Sequence, residues 1–176
     1  MVKNCVVVVA AAILLLVPYV AAAVELPATG SVEVCFTPGE DCTGKIIREI
    51  NGARQEILLQ AYEFTSTPIA KAIAAAARRG VQVVAVLDKS QRTSRYSGAT
   101  YLLNAGIPVY IDERPAIAHN KIIIVDRSEV ITGSFNFTKA AQERNAENLL
   151  MLRGNGPLVE QYLRYFAERQ RMSVTY

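Results

Sequence analysis

The sequence predicts a single α/β domain in which a mixed central β-sheet carries helices packed on both faces. Three observations predict it. In the first half, apolar strand-like segments alternate with amphipathic helical ones, the signature of parallel strands joined by crossovers. In the second half, strand-like segments follow one another through short connections, which suits antiparallel or mixed pairing. No repeat or low-complexity linker divides the 176 residues.

Residues 1–23 are set aside first. Lys3 supplies a positive n-region, an unbroken apolar run follows from Cys5 to Val17, and Pro18 breaks it ahead of Ala21-Ala22-Ala23. This is the pattern of a cleaved signal peptide, leaving a domain over 24–176 and an exported, periplasmic or secreted protein. The alternative is an uncleaved anchor, since the apolar stretch reaches the roughly 20 residues that span a bilayer. Cleavage would also remove Cys5 and leave Cys35 and Cys42, an even pair in an oxidising compartment and hence an expected disulfide. The turn-rich residues between them can bring the two ends together, with two free thiols as the alternative.

Residues 31–36 alternate apolar and polar side chains and are expected to form the first strand. Thr43 can cap a helix that places Ile46, Ile47 and Ile50 on one face. Residues 55–64, with Ile57-Leu58-Leu59, suit a buried strand. Ser66 or Thr67 caps the clearest helix, with Pro68 in its first turn, an alanine-rich interior, Arg78-Arg79 at its end and Gly80 to stop it. A strand over 81–87, a polar loop over 88–97, a short helix over 101–104 and a strand over 107–111 follow. Strands are then expected over 120–125, 130–137 and 147–152, with a helix over 138–144 before the last of them. Pro157 opens a final helix toward Arg171.

Composition limits the chemistry. Nineteen Lys and Arg against 16 Asp and Glu give a net charge of +3, too small an excess to establish a nucleic-acid partner by itself. There is one histidine, His119, and three cysteines, which excludes zinc fingers and multi-histidine metal hydrolases built within one chain. No carboxylate cluster suited to two magnesium ions stands out, so chemistry without metal or other cofactor is expected.

The residues of interest lie in three successive strands. His119 and Lys121 are two apart and share a strand face, about 6.6–6.8 Å apart along the chain. That pair suits attack on phosphorus by the imidazole while the ammonium holds the non-bridging oxygens. Asp126 sits at an odd offset from His119 and so turns to the opposite face, which makes it structural, a cap for the turn at Arg127-Ser128. Ser134 and Asn136 again share a face and offer a hydroxyl and an amide to an oxyanion. If the third strand is a neighbour, Glu147 can accept the His119 ring N–H and leave the other nitrogen free to attack.

Together, His119-x-Lys121-x4-Asp126, Gly133-Ser134-x-Asn136 and the downstream acid resemble the HKD motif of the phospholipase D superfamily. The resemblance runs over nearly all of the chain after residue 23. It implies His119 as a nucleophile that forms a phosphohistidine, Lys121, Ser134 and Asn136 as phosphate ligands, and Glu147 as the acid that orients His119. Members with two motifs supply a second histidine from the same chain; a chain with one motif needs a homodimer with a shared active site. For substrate, Lys89, Arg92 and Arg95 beside Tyr96 form a loop fit to grip the phosphates of nucleic acid, which points to a sequence-nonspecific endonuclease acting on DNA, with RNA left open. No amphipathic surface helix for lipid is evident beyond the signal, so no stable membrane association is expected after cleavage. Hydrolysis of phospholipid head groups is the alternative, and an exported binding or assembly subunit on the same fold is a third.

Overall fold

A computed structural model describes residues 23–176, so the expected signal peptide, apart from its last position, lies outside the described residues. The predicted elements appear in the predicted order, and a short strand not expected from the sequence follows the last helix. The elements are β1 (Ser31–Thr37), α1 (Cys42–Gly52), β2 (Glu56–Ala61), α2 (Thr67–Arg78), β3 (Gln82–Asp88), α3 (Ala99–Asn104), β4 (Val109–Asp112), β5 (Lys121–Val125), β6 (Glu129–Gly133), α4 (Lys139–Glu143), β7 (Glu147–Arg153), α5 (Gly156–Met172) and β8 (Val174–Thr175). One sheet runs in the order β1-β7-β6-β5-β2-β3-β4-β8. β2 pairs with β3, and β3 with β4, in parallel; every other pairing is antiparallel. β2 is therefore the joint where the two pairing modes meet.

Residue parity divides the core between the faces. Ile57, Leu59, Ala85, Leu87, Ile123 and Ile131 point to the side of α1, α2 and α3, where Ile46, Ile50, Ile69, Ile73 and Leu102 meet them. Leu58, Val86, Ile122, Ile124 and Val130 point to the other side, which α5 covers with Val159, Leu163 and Phe166. Helices thus pack on both faces, but α5 alone does not reach the edge. On its side of β1, Val32, Val34 and Phe36 stay exposed. A bidentate pair of Arg169 with the fully buried Asp112, at 2.7 Å on both arms, fastens α5 to β4.

Cys35 and Cys42 are disulfide-bonded. Several boundaries differ from expectation. Asp41, not Thr43, caps α1: its side chain accepts the Gly44 N–H at 2.8 Å, while the Thr43 N–H goes to Gln142. Residues 89–92 form a 3₁₀ turn capped by the Asp88 side chain rather than a loop. Ile107 closes the end of α3 through Leu102, so β4 starts two residues later than predicted. β6 stops at Gly133, four residues short, for a reason that bears on the site. Among the described residues no helix is long and apolar enough to cross a membrane.

Candidate active site

The expected residues gather where the C-terminal ends of β2, β3 and β6 meet the N-terminal ends of β5 and β7. The β2–β5 ladder ends at Ala61 opposite Lys121, and His119 lies just beyond it, exposed. The backbone around His119 is clamped on each side. The Asp88 carboxylate accepts the Ala118 N–H at 2.7 Å, the Asn120 carbonyl accepts from the Tyr62 N–H at 2.8 Å, and the Gln60 side chain donates to the Asn120 amide oxygen at 3.0 Å. Asp88 is buried, which alone would raise its carboxyl, but the N–H groups of Ser90 and Ala118 hold it below its usual range. A side chain on so fixed a backbone loses little entropy when it is brought to a reacting position.

Lys121 is 6% exposed and its ammonium donates to the His119 carbonyl at 2.8 Å. Burial pushes it below the ordinary lysine range, and the Glu63 and Glu147 carboxylates oppose that shift. Tyr62 packs against both groups: its ring centroid is 4.6 Å from that of His119 and 5.2 Å from the Lys121 ammonium. Nothing in the sequence pattern singles out Tyr62, Asp88 or Gln60. Only the β2–β5 and β3–β4 pairings bring them to the histidine.

Ser134 and Asn136 do not continue a strand. Gly133 has φ of +147°, and a Cβ there would lie 2.3 Å from the Asn148 carbonyl oxygen, so the chain must carry glycine and turns out of the ladder. Past this turn Ser134 is exposed, Phe135 and Phe137 are buried, and Asn136 lies between them half-buried. Its amide oxygen is buried with no hydrogen-bond partner, an unused acceptor inside the turn.

Glu147 differs from expectation. It accepts from the Ser134 hydroxyl at 2.6 Å and from the Asn145 amide at 2.9 Å, and no bond to His119 is among the described contacts. The cause is register: Gly133 pairs with Leu149, which sets Ser134 beside the start of β7. Glu147 reaches the site electrostatically, through Lys121.

Asp126 lies just past β5 and bonds to another segment. Its carboxylate accepts the N–H groups of Arg54, Gln55 and Glu56 at 2.9, 2.8 and 3.0 Å, rather than capping Arg127-Ser128. The three expected phosphate-gripping cations are dispersed. Lys89 donates to the Pro115 carbonyl, Arg92 pairs with Glu113 and reaches the Thr175 carbonyl, and Arg95 lies over Tyr96.

On the α5 side a cavity of about 440 Å³ opens onto His119 and Lys121, with Ile122, Thr132, Tyr162 and Tyr165 in its walls. Among the described residues no group of three or more His, Cys, Asp or Glu is placed to hold a metal ion. A phosphodiester in this cavity would meet the His119 imidazole and the largely desolvated Lys121 ammonium.

Residues 46–170 match the family described as cardiolipin synthase, PLD-like domain. A phospholipase D of Rickettsia bellii is 44% identical over 139 residues, 79% of this chain and 69% of that protein. Human mitochondrial cardiolipin hydrolase is 33% identical over 76% of this chain and 52% of its own length. Among solved structures, the phospholipase D family member Nuc from Salmonella typhimurium superposes with a TM-score of 0.80 and 38% identity, covering 83% of this chain and 97% of that one. NucT from Helicobacter pylori gives a TM-score of 0.77 and 25% identity, over 83% and 99%.

Proposed function

Because the chain belongs to the phospholipase D-like family and is a phosphodiesterase, we propose that it is an exported, metal-independent endonuclease. It cleaves DNA, and RNA by the same chemistry, without reading sequence, in a homodimer whose two copies share one site. The observation that carries the substrate is the likeness to Nuc and NucT over almost their entire chains. Export of a domain spanning 24–176 after loss of residues 1–23 is supported by the Cys35–Cys42 bond, since such bonds persist in oxidising compartments.

In this reading His119 attacks phosphorus, a P–N bond forms and the P–O bond to the leaving group breaks. A second imidazole gives its proton to the departing alkoxide, then takes one from the water that displaces the histidine. Lys121 and the Asn136 side-chain N–H donors hold the equatorial oxygens, and Ser134 joins them when its hydroxyl proton turns from Glu147 to the phosphate; a metal commonly does this in phosphoryl enzymes. Glu147 sets the Ser134 hydroxyl and offsets the Lys121 charge.

With one histidine per chain, the second imidazole comes from a twin. The sheet offers a face for it. Ile122 pairs with Thr132, Thr132 with Leu150 and Leu150 with Val34, so a single cross-strand row runs from the cavity wall to the exposed strip of β1. A second copy covering Val32, Val34 and Phe36 also closes the cavity over His119. The same strip, and the relatives named for lipid hydrolysis, favour a second reading: cleavage of phospholipid head groups.

Plasmid DNA, a short phosphodiester and phosphatidylcholine vesicles offered to the mature protein separate the two. Subunit mixing then tests the shared site. Wild type refolded with an equal amount of His119→Asn pairs at roughly 1:2:1. A site needing both histidines retains about a quarter of the all-wild-type activity, whereas independent sites retain about half and would refute sharing.

A further inference from the structure

Past the C-terminal ends of β2 and β3, Tyr62 forms the boundary of a second cavity of about 440 Å³. The catalytic scheme leaves it unused. Its walls carry Lys139 and Arg144 from α4 and its C-terminal cap, and Ser90 and Ser94 from the turn after β3, with Glu63 beside Tyr62. We propose that this cavity is a second phosphate subsite, which takes the neighbouring phosphate of a polynucleotide whose scissile phosphate lies at His119. The inference rests on the nuclease reading and deepens it.

Position is the first argument. Tyr62 touches His119 with one side of its ring and lines the second cavity, so the two sites are separated by about one aromatic side chain. A strand passing over Tyr62 runs from the nucleophile directly into the groove. Charge is the second. Lys139 is 81% exposed and its pair with Glu143, at 3.5 Å, is a surface contact of little strength that a phosphate can displace. Arg144 joins no ion pair among the described residues. Glu63, the acid in the groove, acts on Lys121 at the neighbouring site, so its charge is partly answered there.

The third argument is that the walls are held. The Gln91 side chain, 2% exposed, accepts the Phe64 N–H at 3.4 Å, and the Thr138 hydroxyl accepts the Ala141 N–H at 3.1 Å. The Phe137 carbonyl accepts from both Thr65 and Ser66. The cations therefore stand on braced elements rather than on a free loop. A head group with one phosphate fills only the first cavity; a polynucleotide fills both.

The test compares Lys139→Ala/Arg144→Ala with wild type on a single-stranded dodecathymidylate and on the dinucleotide with one phosphodiester. Both positions are exposed, and an unchanged melting curve confirms the fold. The ratio of kcat/KM for the long substrate over the short one is expected to fall about tenfold. The slope of log KM against log salt should become shallower by about 0.7, the contribution of the one single-strand phosphate contact that is lost. An unaltered ratio or an unaltered slope overturns the subsite, and so does a larger loss on cardiolipin vesicles than on the oligonucleotide. If wild type cleaves neither nucleic-acid substrate, the nuclease reading fails, and fluorescence anisotropy of the labelled oligonucleotide judges the groove separately. Weaker, less salt-dependent binding by the double variant sustains it; equal binding overturns it.

Discussion

Asp126 is the acid of the HKD pattern, yet the structure gives it no contact with the site, and replacing it should cost stability rather than chemistry. In Asp126→Ala three backbone N–H groups, those of Arg54, Gln55 and Glu56, lose their acceptor. Two of these contacts are open to solvent, so water takes over much of the lost bonding, and about 1 kcal/mol for each N–H is a fair net loss. Asp126 also has φ of +48°, a left-handed conformation that aspartate tolerates and alanine does not, worth about 1 kcal/mol more. The expected destabilisation is ~3–4 kcal/mol, or about 8–12 °C in Tm for a domain of this size. Asp126→Asn keeps an oxygen for the contacts that Oδ1 makes and tolerates the same φ, so it should lose only about 1 kcal/mol. Circular-dichroism melts give the stability, and kcat at a temperature where each variant is folded gives the chemistry. An alanine variant that melts like wild type but turns over far more slowly would refute the reasoning and return Asp126 to the reaction.

Two further outcomes follow from features remote from the site. Glu129 is pushed up to about 7 by burial and by the neighbouring Glu49 carboxylate, against the pull of Arg153, while Glu33 and Lys45 complete the cluster. The native state therefore holds a proton that the unfolded chain releases near its ordinary 4.5, so stability falls as pH rises from about 4.5 to about 7. After allowance for solvent around its partly exposed partners Glu49 and Arg153, the change is ~1–2 kcal/mol. Urea midpoints at about pH 5 and about pH 8 should differ accordingly in wild type and not in Glu129→Gln; parallel curves would contradict the proton count. Reduction of Cys35–Cys42, which closes a loop of seven-residue separation, should lower stability by up to about 2.5 kcal/mol. Equal melting temperatures with and without reductant would remove that contribution.

Parity and capping residues made most of the fold legible. Ile57-Leu58-Leu59 is buried on both sides because β2 lies inside the sheet, and α2 carries the proline start and glycine stop expected of it. The closeness of His119 and Lys121 was legible from their spacing, although His119 lies just before β5 and the Lys121 ammonium turns back to its carbonyl. What escaped depended on partners distant in sequence. Glu147 bonds Ser134 because of where Gly133 leaves its ladder, and a collision with the Asn148 carbonyl is not visible in a local pattern. The cations facing the second groove, Lys139 and Arg144, sit on a helix of ordinary composition, whereas Lys89, Arg92 and Arg95 form a conspicuous run that the fold ties elsewhere. β8 is two residues long, too short for any periodicity to mark.

The strand order has a consequence for timing. β1 at one end of the described chain is paired to β7 along its full length, with Ser31 opposite Arg153, and β7 carries Glu147 and backs the turn that presents Ser134. The β4-to-β5 connection that bears His119 must also cross to the far side of β2 before Lys121 finds Ala61. Contacts of such long separation form late, because the chain entropy of the intervening loop is lost before the pairing repays it. A chain still being synthesised, or one cut short before β7, holds His119 and Lys121 but lacks Glu147 and the strand that backs the turn at Ser134. The strand order thus makes the surroundings of Ser134 and Glu147 among the last parts of the sheet to close.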